Sequence, residues 1–117
     1  MESWGSRPNR TCVYIHGTEG PTPSQCVQHD RDVYSEFHVY AMEWYADRID
    51  FFRDDDKILT YTKDPEVGWS FDKSMYLIMN IACGGPDEPA PDDSKLPQRM
   101  TVDYVRVYQK SPERGSR

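Results

Sequence analysis

The 117-residue sequence has no excess of basic charge, no long apolar run and few cysteines, and each shortage closes a class of function. Its formal net charge of −6 at pH 7 argues against a nucleic-acid binder, which needs a cationic face to displace phosphate counterions. No apolar stretch approaches the length of a bilayer span, so no membrane partner is expected. No basic segment followed by an apolar one opens the chain, so as written it carries no signal peptide. Its three cysteines cannot all pair within one chain. No CxxC and no Cys/His spacing suits zinc. Cys12 and Cys26 flank a turn-rich segment and could close a small loop in an oxidising compartment, whereas Cys83 ends an apolar run and reads as a small buried residue.

Aromatic residues are what the chain has in quantity. They make up 13% of it, with eight Tyr, three Trp and four Phe. Such a composition favours strands and surfaces that stack on flat ligands. The length suits one domain, expected over 1–109, followed by a polar tail at 110–117 of disordered composition.

Along the chain, 17–32 ("GTEGPTPSQCVQHDRD") reads as loop. "FHVYAMEWY" (37–45) alternates with period two and places His38, Tyr40, Met42 and Trp44 on one face. "RIDFFR" and "KILTYT" flank the acidic turn Asp54-Asp55-Asp56 and read as a hairpin. That turn lacks the spacing of an EF-hand loop and reads as a solvated surface. The apolar run at 74–85 is expected to be a strand buried on both faces, and "MTVDYVRVYQ" (100–109) has the strongest strand pattern of all. Strands, long loops and hardly any helical signal predict an all-β sandwich. Large aromatics on both sheets need more strands than these to cover them, so the sandwich is expected to be incomplete.

Three segments in order, "FHVYAMEWYADRIDFFRDDDKILTYT", "WSFDKSMYLIMNIACGG" and "LPQRMTVDYVRVYQ", resemble the C-terminal half of family-16 glycoside hydrolases. These are the concanavalin-like β-jelly-roll endoglucanases that include laminarinases and lichenases. "YIHGTE" (14–19) resembles a His-Gly segment that follows their active-site strand, and the opening "ME" before "SWG" resembles the tail of their catalytic E-x-D-x-x-E motif. The resemblance implies a retaining endo-β-1,3(4)-glucanase acting on β-glucan, usually extracellular, with Glu2 as general acid/base. The nucleophilic Glu and its helper Asp would stand before Met1, so the chain alone is expected to be inactive. A retaining glycosidase needs two carboxyl groups about 5–5.5 Å apart, one to attack and one to protonate the leaving oxygen.

Each candidate has a plainer reading beside the functional one. Trp4 is a sugar-stacking platform or a core aromatic. His16 lines the cleft by resemblance, or is a hydrogen-bonded structural histidine. Asn80, inside the apolar run "LIMNIA", either ties two strands together or reaches sugar hydroxyls, since a buried carboxamide needs partners. Trp44 is the better placed of Trp44 and Trp69 to line a cleft, and Trp69 is expected to pack against core or loop. By resemblance Asp103 is one ligand of a structural Ca²⁺ in the complete domain. Calcium wants six to eight oxygens, so a full site within this chain is not expected. No cofactor is needed for the chemistry. The rival reading is a non-catalytic carbohydrate-binding β-sandwich, and exposed strand edges would favour self-association.

Overall fold

The computed structural model describes residues 1–17, 22–66, 68–85 and 88–110. Apart from Lys110, the tail expected at 110–117 lies outside the described residues. The chain is all-β. A first antiparallel sheet is ordered β1 (Glu2–Trp4), β2 (Arg7–Tyr14), β3 (Ser24–Gln28), and a second is ordered β4 (Tyr40–Trp44), β5 (Arg48–Arg53), β6 (Asp56–Thr62). Among the described residues the only helical element is a 3₁₀ turn, Asp93–Lys95, and no helix is long and apolar enough to cross a membrane.

The expected hairpin is present as β5–β6. Its turn holds Asp54 at φ 51°, a left-handed conformation that Asp tolerates because its short side chain bonds the local backbone. Here the Asp54 carboxylate instead reaches a distant backbone group, accepting the Val39 N–H at 3.0 Å. On the outer side of the same hairpin Asp50, 2% exposed, accepts from Thr60 at 2.5 Å and faces Lys57 and Arg48, each at 3.2 Å.

One segment read as loop is a strand. Ser24–Gln28 pairs along β2, and its register sets Cys26 directly opposite Cys12. The two are joined in a disulfide, which settles the pairing that the sequence left open. The strand escapes a pattern search because "SQCVQ" is short, polar and flanked by turn residues; its ladder with β2 and the crosslink hold it in place.

The core lies between β2 and β6. Val13 and Ile15 meet Ile58 and Tyr61, each buried side chain contributing about 1.5–3 kcal/mol. Trp69 stacks on Tyr61 with centroids 5.7 Å apart, and Phe71 meets both rings edge-on. Trp69 therefore packs on the core, as expected, while β3 lies against β6 at the seam between the sheets.

Two expected strands are not formed. Within the expected strand at 74–85 only Gly85 pairs, in an isolated bridge with Glu88, and residues 74–83 are exposed, with Tyr76 84% exposed and Ile78 67%, instead of being buried on both faces. Residues 100–109 are likewise exposed, with Val107 at 90%. Strand composition selects an extended backbone, but a strand also requires a neighbour for its N–H and C=O groups. Among the described residues neither 74–84 nor 100–109 has one. Cys83 is correspondingly exposed, not buried. The molecule measures 65 × 35 × 27 Å with a radius of gyration of 17.2 Å, against about 13 Å for a compact chain of this length.

Candidate functional site

Along β2 and the two residues after it, Thr11, Cys12, Val13 and Ile15 are buried, whereas Tyr14 and His16 line the open face. Glu2 stands opposite Cys12 in the β1–β2 register and so shares that open face. The register shifts between Ser3 and Trp4 as the chain turns through Gly5 and Ser6 into β2. Ser6 is tied down from far along the chain: its hydroxyl donates to Glu88 Oε1 at 2.6 Å and its N–H to Oε2 at 3.3 Å.

Glu2, Trp4, Tyr14 and His16 line an open groove of about 260 Å³. The Trp4 indole N–H donates to Glu2 Oε2 at 3.3 Å. Trp4 and Tyr14 lie 6.3 Å apart and nearly parallel, at 4°, and His16 continues the row 6.3 Å beyond Tyr14. The Arg7 guanidinium sits 5.0 Å from the Trp4 ring centre, within cation–π reach. Chemically, this is a flat aromatic floor with one carboxylate at its edge. Such a floor accepts the C–H face of a sugar ring, and the carboxylate can accept a hydroxyl or exchange a proton.

A second hollow of about 150 Å³ joins the first at Tyr14 and His16 and crosses to the other sheet. Met42, Trp44 and Phe51 line it, with Phe71 and Met75 closing its side. The cross-strand pairs Met42 with Phe51 and Trp44 with Ile49 put those side chains on the side facing β2. Trp44 is 43% exposed, and its indole N–H donates to the Phe71 carbonyl at 3.0 Å.

Of the residues singled out in the sequence, Glu2, Trp4 and His16 converge on one groove, and Trp44 lines its extension. Asn80 and Asp103 are exposed in the two unpaired segments and line neither hollow. Asn80 is thus not the buried carboxamide that its apolar context implied. Among the described residues no group of three or more His, Cys, Asp or Glu side chains is placed to hold a metal ion, so Asp103 gathers no ligand set around it. Glu2 is the only carboxylate lining these hollows among the described residues. His38 leaves the Trp44 face for Arg53 and Asp54. Sequence reasoning missed Tyr14, the central ring of the row, although its alternation with His16 in "YIH" is the signal that places both on one face.

Comparison with known proteins gives this geometry a family. Glycosyl hydrolases family 16 matches residues 1–106. A beta-glucanase of Rhodothermus marinus is 41% identical over 83 residues, covering 63% of this chain and 29% of that protein. Glucan endo-1,3-beta-glucosidase A1 of Niallia circulans is 34% identical over 84 residues, covering 63% of this chain and 12% of that protein. A beta-1,3-glucan-binding protein of Penaeus monodon is 31% identical over 78 residues, covering 49% of this chain and 21% of that protein. The chain thus spans less than a third of the length of these relatives. No solved structure matches it. The family match covers nearly the whole chain, including Glu2, Trp4, Tyr14 and His16, and the chain belongs to glycosyl hydrolases family 16.

Proposed function

We propose that the groove is part of a site that binds and cleaves β-1,3- or mixed-linkage glucan with retention, with Glu2 as its acid/base and Trp4, Tyr14, His16 and Trp44 as its sugar-contacting wall. One observation carries this reading: the Glu2 carboxylate projects onto the same open face as the Trp4–Tyr14–His16 row. A glucan chain stacked on that row would bring its glycosidic oxygens past a group able to protonate them. The names of the Rhodothermus and Niallia relatives support glucan as the substrate class. The Cys12–Cys26 disulfide fits an oxidising, extracellular setting.

Retention requires a second carboxylate about 5–5.5 Å from the first. Glu2 has none in the groove among the described residues, so the 117-residue polypeptide binds glucan without cleaving it. The test is paired: calorimetry with laminari-oligosaccharides and a reducing-sugar assay on laminarin. Binding without release of sugar is the expected result. Release of sugar that disappears in Glu2→Gln would overturn the inactivity while keeping the role of Glu2. Absence of binding at millimolar ligand would overturn the site itself.

A second reading is favoured by the same groove and by the glucan-binding relative from Penaeus. In it the aromatic wall serves binding alone and Glu2 is a hydrogen-bond acceptor. Supplying a second carboxylate decides between the two. Azide or formate rescues a glycosidase that lacks only its nucleophile, when an activated aryl glucoside is the substrate. It leaves a pure binding module inert.

A further inference from the structure

Behind the groove, a line of polar side chains crosses from the first sheet to the second. The Ser3 and Thr11 hydroxyls meet at 3.4 Å, and His29 Nε2 lies 3.1 Å from Thr11 Oγ1. Arg53 Nη1 lies 3.0 Å from His29 Nδ1, and Nη2 lies 2.9 Å from His38 Nε2, the shorter of its two contacts with that ring. His38 Nδ1 is 2.9 Å from Asp54 Oδ2, in the β5–β6 turn.

Arginine has donors only, so His29 Nδ1, the one nitrogen of that ring facing Arg53, must be an acceptor without a proton. The remaining proton of that ring is then assigned by elimination. His29 carries its proton on Nε2 and donates to Thr11; the His38 ring lies between Arg53 and Asp54. Arg53 Nε is buried without a partner, so the guanidinium depends on these two rings for its hydrogen bonds. Thr11 is fully buried, and β1 pairs with it through Ser3, the residue between Glu2 and Trp4.

We propose that His29, Arg53 and His38 form an acid-sensitive clasp between the two sheets, closed while His29 is neutral and opened when a proton on His29 sets an imidazolium against the guanidinium. Burial holds His29 below its ordinary value of 6.5, with Arg53 and His38 acting in the same direction. Asp54 and Asp56 of the neighbouring turn pull the other way and do not prevail. A basic group whose folded value is lowered takes up a proton more readily in the unfolded chain. The clasp therefore contributes fully above pH 6.5, and its contribution falls away as the pH drops below that value. Opening it frees the strand that carries Glu2 and Trp4 from the β5–β6 turn. The clasp is independent of what the groove binds.

The test uses the 117-residue chain labelled with nitrogen-15, as wild type and as His29→Gln, which is neutral at every pH and can still donate and accept. The imidazole spectrum of the wild type at pH 7 is expected to show His29 protonated on Nε2 and bare on Nδ1. Between pH 7 and pH 5 the wild type is expected to lose about 4 °C more in Tm than His29→Gln. The Ser3 and Thr11 amide signals should move with the His29 titration. Equal losses of Tm would overturn the proposal. So would a proton on Nδ1, or a His29 titration that leaves Ser3 and Thr11 unmoved. Should His29→Gln fail to fold, the wild-type spectra decide the matter alone.

Discussion

The indole N–H of Trp4 donates to the carboxylate of Glu2 across 3.3 Å, although both side chains come from one three-residue strand. The strand alternation that places them on one face also lets the stacking residue orient the carboxylate. Trp4→Phe keeps a ring and removes the donor; Trp4→Ala removes both. Trp4→Ala is expected to weaken laminari-oligosaccharide binding about tenfold, the scale of one aromatic contact, and Trp4→Phe much less. Calorimetry checks this, and unchanged affinity in Trp4→Ala would show that the ring is no platform.

The Cys12–Cys26 crosslink closes a short loop, with a sequence separation of 14, across neighbouring strands. Loop closure of that size is worth about 3 kcal/mol. Reduction, or the double change Cys12→Ala and Cys26→Ala, is expected to lower Tm by at least several degrees. The loss should begin in β3, whose amides would exchange first by hydrogen exchange, because one ladder with β2 then remains to hold that strand.

Asp50 ties together the outer side of the β5–β6 hairpin. The Thr60 hydroxyl bond holds its carboxyl below the ordinary value of 3.8, with Lys57 and Arg48 adding to this against the opposing effect of burial. An acid lowered on folding contributes above its unfolded value, and that contribution is lost as the pH falls through the folded one. Thermal melts from pH 7 to pH 2 should therefore show a steep fall below about pH 4. Asp50→Asn should start from a lower Tm at pH 7 and fall less steeply. Parallel curves would mean that another carboxylate governs the acid limb.

The unpaired segments 74–84 and 100–109 present apolar side chains and open backbone groups together. Such edges recruit other strands. Light scattering after size exclusion is expected to find species larger than a monomer, growing with concentration. Ile78→Lys and Val107→Lys together should shift the balance toward monomer. A wild type that remains monomeric across the range would count against open edges.

Local pattern made much of this protein legible before its structure. "RIDFFR-DDD-KILTYT" alternates around an acidic turn and is a hairpin because both strands and the turn lie within one short stretch. Glu2, Trp4 and His16 stand out by their resemblance to the family's motifs, and it is the β1–β2 register that sets them on one face. The His29–Arg53–His38 clasp left no trace of this kind. Its members come from separate segments, and only the packing of β3 against β6 brings them together.

The sequence by itself, through alternation written residue by residue, made β4, β5 and β6 legible and put Met42 and Trp44 on one face. It could not determine which extended segments would become strands. The polar "SQCVQ" did so because β2 lay beside it, while the richer strand patterns at 74–84 and 100–109 did not. Tertiary structure decided that difference, along with the Cys12–Cys26 pair and the joining of Trp44 to the Glu2 groove. The physical reason is that a strand is stabilised by hydrogen bonds to a neighbour, and the presence of a neighbour is a property of the assembled fold and not of the segment.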